Sequence, residues 1–389
     1  MQNPIPARAE VVIIGAGVMG AAIAYHLARR GTRDVVLVER DIPGAGSTSK
    51  AAGGVRCQFS DEVNISLAVR SLEVLRTFER DFGTDIDLVT NGYLFLLDSD
   101  ESADAFAANV ALQQRMGLDS RMLTTAEAKA LSPHISTDGL VAAAFNPGDG
   151  HCTPEAVVSG YIRAARELGV RVLKSCEVTG IATSGPPGAR AIDSVVTTRG
   201  TIACSQVVCA AGAWSGLIGD MAGVELPVRP LRREIMVSEP VDFDTTGMPF
   251  TIDFSTSFYV HPEGPGLLFG CPDETDSWTF SERRDPDWLG YLSELIDRRA
   301  PALADVQVKH GWAGLYEMTP DHNALIGAAE ELEGFVYACG FSGHGFLMGP
   351  AVGEVVADIV AGREPFVDVS GLDKQRFATS GLRTELNIV

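Results

Sequence analysis

The sequence lacks an apolar run long enough to cross a membrane. Apolar runs such as Val11 to Ile14 and Val35 to Val38 have the length of strands, whereas a membrane helix needs roughly 20 apolar residues. Residues 1–10 contain no cationic start followed by an apolar core, which a secretory signal requires. We therefore expect a cytoplasmic protein without a membrane span.

Paired cysteines and positive charge are also scarce. No two of the seven cysteines form a Cys-x-x-Cys motif, which favours free thiols and argues against a zinc site, so no metal is expected. The 31 Lys and Arg residues are outnumbered by 51 Asp and Glu residues, and the net charge of −20 would repel nucleic acid and anionic membranes. The acidic surface then serves solubility or complements a cationic partner chain.

A glycine-rich turn near the N-terminus is the most informative feature that is present. Residues 11–39 have the pattern of a strand, a turn, a helix and a second strand with an acidic end. Gly15 allows the tight turn, Gly17 lets a pyrophosphate approach the backbone, and Gly20 lets the helix pack closely on the strand. Glu39 is expected to hold ribose hydroxyls. The predicted dinucleotide contacts of this unit are Gly15, Gly17, Val18, Met19, Gly20 and Glu39.

A second run of small residues indicates which dinucleotide is bound. Residues 44–54 are rich in Gly, Ala and Ser at the point where a nicotinamide enzyme normally continues its βαβ alternation. Small side chains there would admit a flavin ring, so the pattern favours FAD. Two later motifs, Ala-Ala-Gly-Ala-Trp-Ser at 210–215 and Cys-Gly-Phe-Ser-Gly-His-Gly-Phe at 339–346, are also rich in small residues, and the second opens a helical run over residues 351–361.

With these motifs in this order, the sequence resembles the amino-acid and amine oxidoreductases related to D-amino-acid oxidase. The branch it resembles holds sarcosine oxidases, dimethylglycine dehydrogenase, glycine oxidase and proline dehydrogenase β chains, and the resemblance runs from Val11 to about Gly362. It implies further FAD contacts, which are Arg40, Gly46, Ser47, Thr48, Ser49, Ala52, Gly53, Gly54, Val178, Ala211, Gly212, Trp214, Gly314, Gly343, His344, Gly345, Phe346 and Leu347.

The implied fold class is α/β, with a Rossmann-like FAD-binding domain interleaved with an α+β substrate domain built on an antiparallel sheet. The 389 residues, 46% of them hydrophobic, suffice for two domains with sizeable cores. The expected boundaries are 1–89, 150–224 and 320–389 for the FAD-binding domain, and 90–149 and 225–319 for the substrate domain.

Local patterns add three helices to this plan. Apolar spacing predicts a helix over Ser66 to Arg80. Thr124 is expected to cap a short helix that ends before Pro133. Thr153 is expected to cap a helix with Pro154 at its first position.

The turn at residues 342–345 is expected to face the flavin. A helix that begins there would aim N–H groups and partial positive charge at the N1–C2 edge of the ring, which becomes negative on reduction. We expect His344 to orient the cofactor, and a direct role as a base is the less favoured alternative.

Arg56 is the candidate for binding a substrate carboxylate. It ends the stretch Gly-Gly-Val-Arg, which matches the position of a carboxylate-binding arginine in monomeric sarcosine oxidases, and arginine binds carboxylates in a bidentate manner. The alternative is a structural ion pair with Asp61 or Glu62. Tyr259 and His261, two residues apart on one side of a strand, are expected to line the substrate pocket or to serve packing.

Four positions depart from the sarcosine oxidase pattern. Ala313, nine residues before His322, replaces the cysteine that bonds FAD, so FAD is expected to be noncovalent. Leu347 replaces a second carboxylate ligand and Leu268 replaces the lysine that activates oxygen, so oxidase and dehydrogenase activities both stay open. Pro154 stands where related β chains carry an FMN-linking histidine, which argues against a second flavin.

The resemblance implies oxidation of the C–N bond of a small secondary, N-methylated or primary amino acid, sarcosine-like or proline-like, by hydride transfer to flavin N5. The imine product would hydrolyse, and the electron acceptor is oxygen or another carrier, with a partner subunit possible. One alternative is a 2-hydroxyacid dehydrogenase, which needs a base such as His261 or His344. Another is a non-catalytic flavin-containing partner protein. Asp321 follows a proline, which favours a turn or a structural hydrogen bond over catalysis.

Overall fold

The computed structural model describes residues 4–186, 188–273, 275, 277–379 and 384–385. Its strands are β1 (Val11–Ile14), β2 (Val35–Val38), β3 (Gly54–Val55), β4 (Tyr93–Leu97), β5 (Arg121–Leu123), β6 (Ala142–Asn146), β7 (Gly150–His151), β8 (Arg171–Leu173), β9 (Val178–Ser184), β10 (Ala191–Thr197), β11 (Gly200–Ala203), β12 (Gln206–Cys209), β13 (Arg229–Ser238), β14 (Phe250–Asp253), β15 (Phe258–Glu263), β16 (Gly266–Cys271), β17 (Val308–Met318), β18 (Leu325–Ala328) and β19 (Phe335–Cys339). Its helices are α1 (Val18–Arg29), α2 (Glu62–Arg76), α3 (Phe78–Phe82), α4 (Asp100–Arg115), α5 (Thr125–Leu131), α6 (Pro154–Glu167), α7 (Ser215–Ala222), α8 (Trp288–Arg299), α9 (Gly345–Val360) and α10 (Arg376–Thr379).

One six-stranded sheet has the order β18-β19-β12-β1-β2-β8. All its neighbours are parallel except β18 and β19. Strands β1 and β2 are buried along their whole length, which explains their unbroken apolar sequences, because helices cover both faces of a parallel sheet. Helix α1 packs against α6 and α9.

The contact between α1 and α9 depends on two glycines one turn apart. A Cβ at Gly349 would lie 2.5 Å from a methyl group of Val18, and a Cβ at Gly353 would lie 2.6 Å from that of Ala22. The two helix backbones therefore approach more closely than larger side chains would permit.

A second sheet has eight strands in the order β17-β13-β16-β15-β14-β4-β6-β5. It is antiparallel, as predicted, except that β4 and β14 run parallel to each other. Its strands come from residues 93–146 and 229–318, and those of the six-stranded sheet from residues 11–38, 171–209 and 325–339. The mixed α/β architecture confirms the predicted fold class, while the exact domain boundaries stay a prediction.

The structure contains all three predicted helices, and they agree with the predicted starts and caps to different degrees. The helix expected over residues 66–80 is α2 followed by α3, and α2 begins earlier because Asp61 accepts hydrogen bonds from the N–H groups of Val63 and Asn64. Thr124 caps α5, as predicted, and it also forms a capping box with Glu127. Thr153 does occupy the N-cap of α6, but its side chain makes no capping bond.

Thr153 was therefore wrongly expected to cap with its hydroxyl group. That hydroxyl lies 2.8 Å from the Asp87 carboxylate and donates to it instead. A charged acceptor from a neighbouring segment makes a stronger hydrogen bond than the local N–H groups can offer.

Of the described helices, none is both long enough and apolar enough to span a membrane.

Asp321 forms a buried ion pair with Arg376. Its two carboxylate oxygens accept hydrogen bonds from Nε (2.7 Å) and Nη2 (2.9 Å) of that arginine. Asp321 has no solvent exposure and Arg376 is 7% exposed. Asp321 also accepts from the N–H of Asn323. These contacts agree with the structural role that the sequence favours for Asp321.

We predict that Asp321→Ala destabilises the protein strongly, because Arg376 would be left as a buried charge without its partner. The expected loss is about 3–5 kcal/mol, measured by denaturant unfolding followed by circular dichroism. The control is Glu73→Ala, which removes the exposed Arg70–Glu73 pair and is expected to cost less than about 1 kcal/mol. Similar losses in both variants would contradict the prediction.

Candidate active site

A long cavity lies between the carboxyl ends of the parallel strands and one face of the eight-stranded sheet. At the parallel sheet its wall includes Ile14, Val38 and Ala210, which end or follow β1, β2 and β12. From these residues it runs to the aromatic side chains of β14, β15 and β17. The carboxyl edge of such a sheet is the usual location of a bound dinucleotide.

The predicted FAD contacts lie together along this cavity. All of them line it except Gly20 and Ser49. Gly20 serves packing, as expected, because a Cβ there would lie 1.8 Å from the Gly15 carbonyl oxygen. Ser49 is half-buried, and its N–H donates to the Gly44 carbonyl. Direct binding of FAD by the remaining residues stays a prediction.

The glycine turn leaves room for a phosphate. Gly15 has a φ of +99°, and a Cβ there would lie 2.4 Å from the Ala210 carbonyl oxygen. Helix α1 begins directly after Gly17, so its first N–H groups have no acceptor within the helix and face the cavity. Of these groups, the N–H of Val18 donates to the Thr48 hydroxyl at 3.2 Å. The turn is therefore suited to bind an anion.

Glu39 is fixed at the end of β2. One carboxylate oxygen accepts the N–H of Ala16 at 2.8 Å, and the other accepts the N–H of Asp41 at 2.9 Å. Each oxygen has a second lone pair, so the carboxylate can still accept hydrogen bonds from the two ribose hydroxyls. Next to it, the Arg40 guanidinium lies 3.6 Å from the centre of the Trp214 ring.

At the other end, the eight-stranded sheet presents aromatic rings to the cavity. Tyr259 lies there, as predicted, together with Tyr93, Phe250 and Tyr316, which the sequence analysis missed. Tyr316 is two residues beyond Gly314 on β17, so the period of a strand could have identified it. Its ring also occupies the space beside Gly343, where a Cβ would lie 2.5 Å from the ring.

Arg56 lies in this aromatic end and is 6% exposed. It donates to the Gln58 carbonyl at 2.5 Å, and its guanidinium lies 4.2 Å from the centre of the Phe59 ring. Burial lowers the pKa of Arg56, and the charges of Glu385 and Asp149 oppose that shift. Asp61, one of the two acids considered as an ion-pair partner, caps α2.

His261 does not line the cavity. The expectation that it forms part of the pocket wall was therefore wrong. His261 shares a strand face with Tyr259, as predicted, but it is completely buried behind Phe250, with the two ring centres 4.4 Å apart. Its Nδ1 is 2.7 Å from the Pro262 carbonyl, and burial lowers its pKa well below the usual value. Spacing along a strand defines a face but not the depth at which a side chain lies.

His344 lines the cavity at the N-cap of α9. It is 3% exposed, and burial lowers its pKa to about 3, an effect that the nearby charge of Arg56 reinforces. The imidazole is therefore neutral at ordinary pH. An imidazole with so low a pKa is a weak base, which agrees with the expected orienting role.

Two of the positions that were compared with sarcosine oxidases, Ala313 and Leu268, do not line the cavity. Ala313 is buried inside β17, and the neighbouring Gly314 lines the cavity in its place. Neither residue has a thiol. Leu268 is likewise buried within the sheet and does not line the cavity.

Lys50, which the sequence analysis missed, lines the cavity. Its Nζ lies 2.5 Å from a carboxylate oxygen of Glu282, and Gly314 is close to its side chain. Lys50 belongs to the run of small residues that was assigned to the flavin. Its partner Glu282 is more than 200 positions away, so no local sequence pattern identifies the pair.

A glycine turn, a fixed carboxylate at the end of β2 and a cavity shared with an antiparallel sheet define a dinucleotide-dependent oxidoreductase fold. The sequence matches the family described as FAD dependent oxidoreductase (DAO) over residues 10–359, and the chain belongs to this family. FAD is accordingly its cofactor, and the space at Gly15 and the fixed carboxylate of Glu39 fit that group.

Three relatives show how far this similarity extends. Mitochondrial sarcosine dehydrogenase of Homo sapiens is 31% identical over 387 residues, which cover 96% of this chain and 42% of that protein. FAD-dependent oxidoreductase domain-containing protein 1 of Xenopus laevis is 32% identical, with 99% and 85% covered. The crystal structure of L-proline dehydrogenase from P. horikoshii has a TM-score of 0.90 and 33% identity, with 97% and 100% covered. The chain thus spans about two fifths of the length of the sarcosine dehydrogenase.

We predict that Gly20→Ala prevents FAD binding, because the new methyl group would overlap the Gly15 carbonyl and displace the phosphate-binding turn. The ratio of flavin to protein absorbance after purification measures the effect. The matched control is Gly290→Ala in α8, where no atom lies within 4 Å of the new Cβ. A Gly20→Ala protein with full flavin content would refute the assigned role of this turn.

Proposed function

We propose that the protein oxidises the C–N bond of a small secondary or N-methylated amino acid, of the sarcosine or proline type. The observation that carries this proposal is the buried guanidinium of Arg56 in a wall of aromatic rings. An arginine taken out of water is the side chain best suited to bind a carboxylate with two parallel hydrogen bonds. The rings of Tyr93, Phe250, Tyr259 and Tyr316 restrict the remaining space to a small apolar group.

Burial at this end favours the neutral form of the substrate amine. Tyr93, Phe250 and Tyr259 line it, and loss of water beside such rings disfavours a protonated ammonium group. A neutral amine has the free electron pair that assists loss of hydride from the adjacent carbon. Bound FAD supplies the hydride acceptor, and the protein's task is to orient the substrate and exclude water, without a dedicated base.

The names of the relatives support a secondary amine. Sarcosine and L-proline, which appear in the names of two of them, are both secondary amino acids. The 2-hydroxyacid alternative needs a base at the substrate, and it gains no support from His261, which is outside the cavity, or from His344, whose pKa is lowered to about 3.

Anaerobic mixing of the purified protein with candidate substrates tests the function. The flavin absorbance at about 450 nm, an approximate flavin band, is followed with sarcosine, other N-methyl amino acids, proline, glycine, D-amino acids and 2-hydroxy acids. Bleaching by a secondary amino acid is expected. Fast recovery in air would identify an oxidase, and slow recovery a dehydrogenase. Bleaching by hydroxy acids alone, or by none of these compounds, would overturn the proposal.

We predict that Arg56→Met lowers kcat/KM for amino-acid substrates but not for a matched N-methylalkylamine without a carboxylate. Loss of one partner of a buried charged pair costs about 2–5 kcal/mol, which is roughly 30- to 4000-fold. Arg56→Lys, which keeps the charge but loses the bidentate geometry, is expected to fall between wild type and Arg56→Met. Equal losses for both substrates would assign Arg56 a structural role instead.

We also predict that FAD is released when the protein is precipitated with acid, because neither Ala313 nor Gly314 can bond the flavin. The supernatant should contain the flavin fluorescence and the pellet should be colourless. A yellow pellet would show a covalent link formed elsewhere in the cavity.

A further inference from the structure

Glu317 lies in the wall of the FAD cavity, and the proposed oxidation gives it no task. It follows Tyr316 on β17, and its exposed surface faces the cavity. No described Lys or Arg forms an ion pair with it. A carboxyl group in such a location needs another explanation.

The carboxyl group holds the turn that begins α9. One oxygen accepts the N–H of Gly340 at 2.8 Å, and the N–H of Phe341 also donates to the group. The main-chain carbonyl of Glu317 accepts the N–H of Ser342 at 3.0 Å. Its other carboxyl oxygen would lie 3.4 Å from a Cβ at Gly345, the first residue of α9. Any charge on Glu317 therefore lies beside the positive end of that helix.

Glu317 changes its charge near neutral pH. Burial raises its pKa to about 7, although the two N–H donors favour the ionised form. Cys209 and Cys339 face it from β12 and β19, and burial raises the pKa of the first thiol to about 11 and that of the second well above its usual value. His344 belongs to the same turn, and burial lowers its pKa to about 3. These neighbours keep one protonation state between pH 6 and pH 9.

We propose that Glu317 is a positioning residue that holds the α9 turn and sets how readily the bound FAD accepts electrons. A reduced flavin carries additional negative charge near N1 and C2. An ionised Glu317 opposes that charge and a protonated one does not. Above pH 7, where Glu317 is ionised in the oxidised protein, reduction therefore favours uptake of a proton from solvent by Glu317, while both electrons come from the reductant. This inference depends on the FAD site and not on the proposed substrate.

The test compares the midpoint potential of the FAD-loaded wild type and of Glu317→Gln from pH 6 to pH 9. Slow enzymatic reduction beside a reference dye measures the potential without any substrate of the protein. Glutamine keeps the size of the side chain and one oxygen acceptor. We expect equal potentials near pH 6 and a higher potential in the variant above pH 7. If reduction raises the Glu317 pKa by one unit, the reduction equilibrium at high pH differs about tenfold.

Glu282→Gln is the matched control, since this carboxylate also lines the cavity but is paired with Lys50. It is expected to show no gap that grows with pH. Equal potentials of wild type and Glu317→Gln at every pH, or a constant offset between them, would overturn the proposal. If Glu317→Gln does not retain FAD, the wild-type curve decides: it must become steeper above pH 7 than that of free FAD, and a parallel curve refutes the coupling.

Discussion

The fold depends on one close approach between main chains. Gly15 lies against the carbonyl of Ala210, and Gly20 lies against the carbonyl of Gly15, so β1, α1 and the segment after β12 meet without side chains between them. That contact leaves a free space at the carboxyl edge of the parallel sheet, and the N–H groups of α1 face into it. The glycines are required because a side chain at either position would overlap the neighbouring main chain.

The residues that the sequence predicted well are those whose roles are local. The strand, turn and helix around Gly15, the N-cap at Thr124 and the turn before α9 each depend on residues within a few positions of one another. The resemblance to a known family then supplied the order of the separate FAD contacts, and all but Gly20 and Ser49 line the cavity.

The residues that the sequence missed act through distant partners. Lys50 meets Glu282, Tyr316 packs on Gly343, and Thr153 bonds to Asp87 rather than to its own helix. None of these partners can be identified from the sequence near its own residue, because each pair depends on how distant segments of the chain are placed. The same limit explains His261, whose strand face was predicted correctly but whose depth was not. Strand β14 gives a further case, since its parallel pairing with β4 joins segments about 150 residues apart.

The distribution of the cavity wall along the chain has a consequence for assembly. Described wall residues extend from Ile14 to Leu347, and the eight-stranded sheet closes only when β4 meets β14. Contacts between such distant segments form late, since the entropy of closing long loops must be overcome before any contact stabilises them. On a ribosome, the cofactor site would therefore exist only after nearly all of this chain had emerged, and FAD would act as a late ligand that stabilises a nearly finished fold rather than as a template for its first steps.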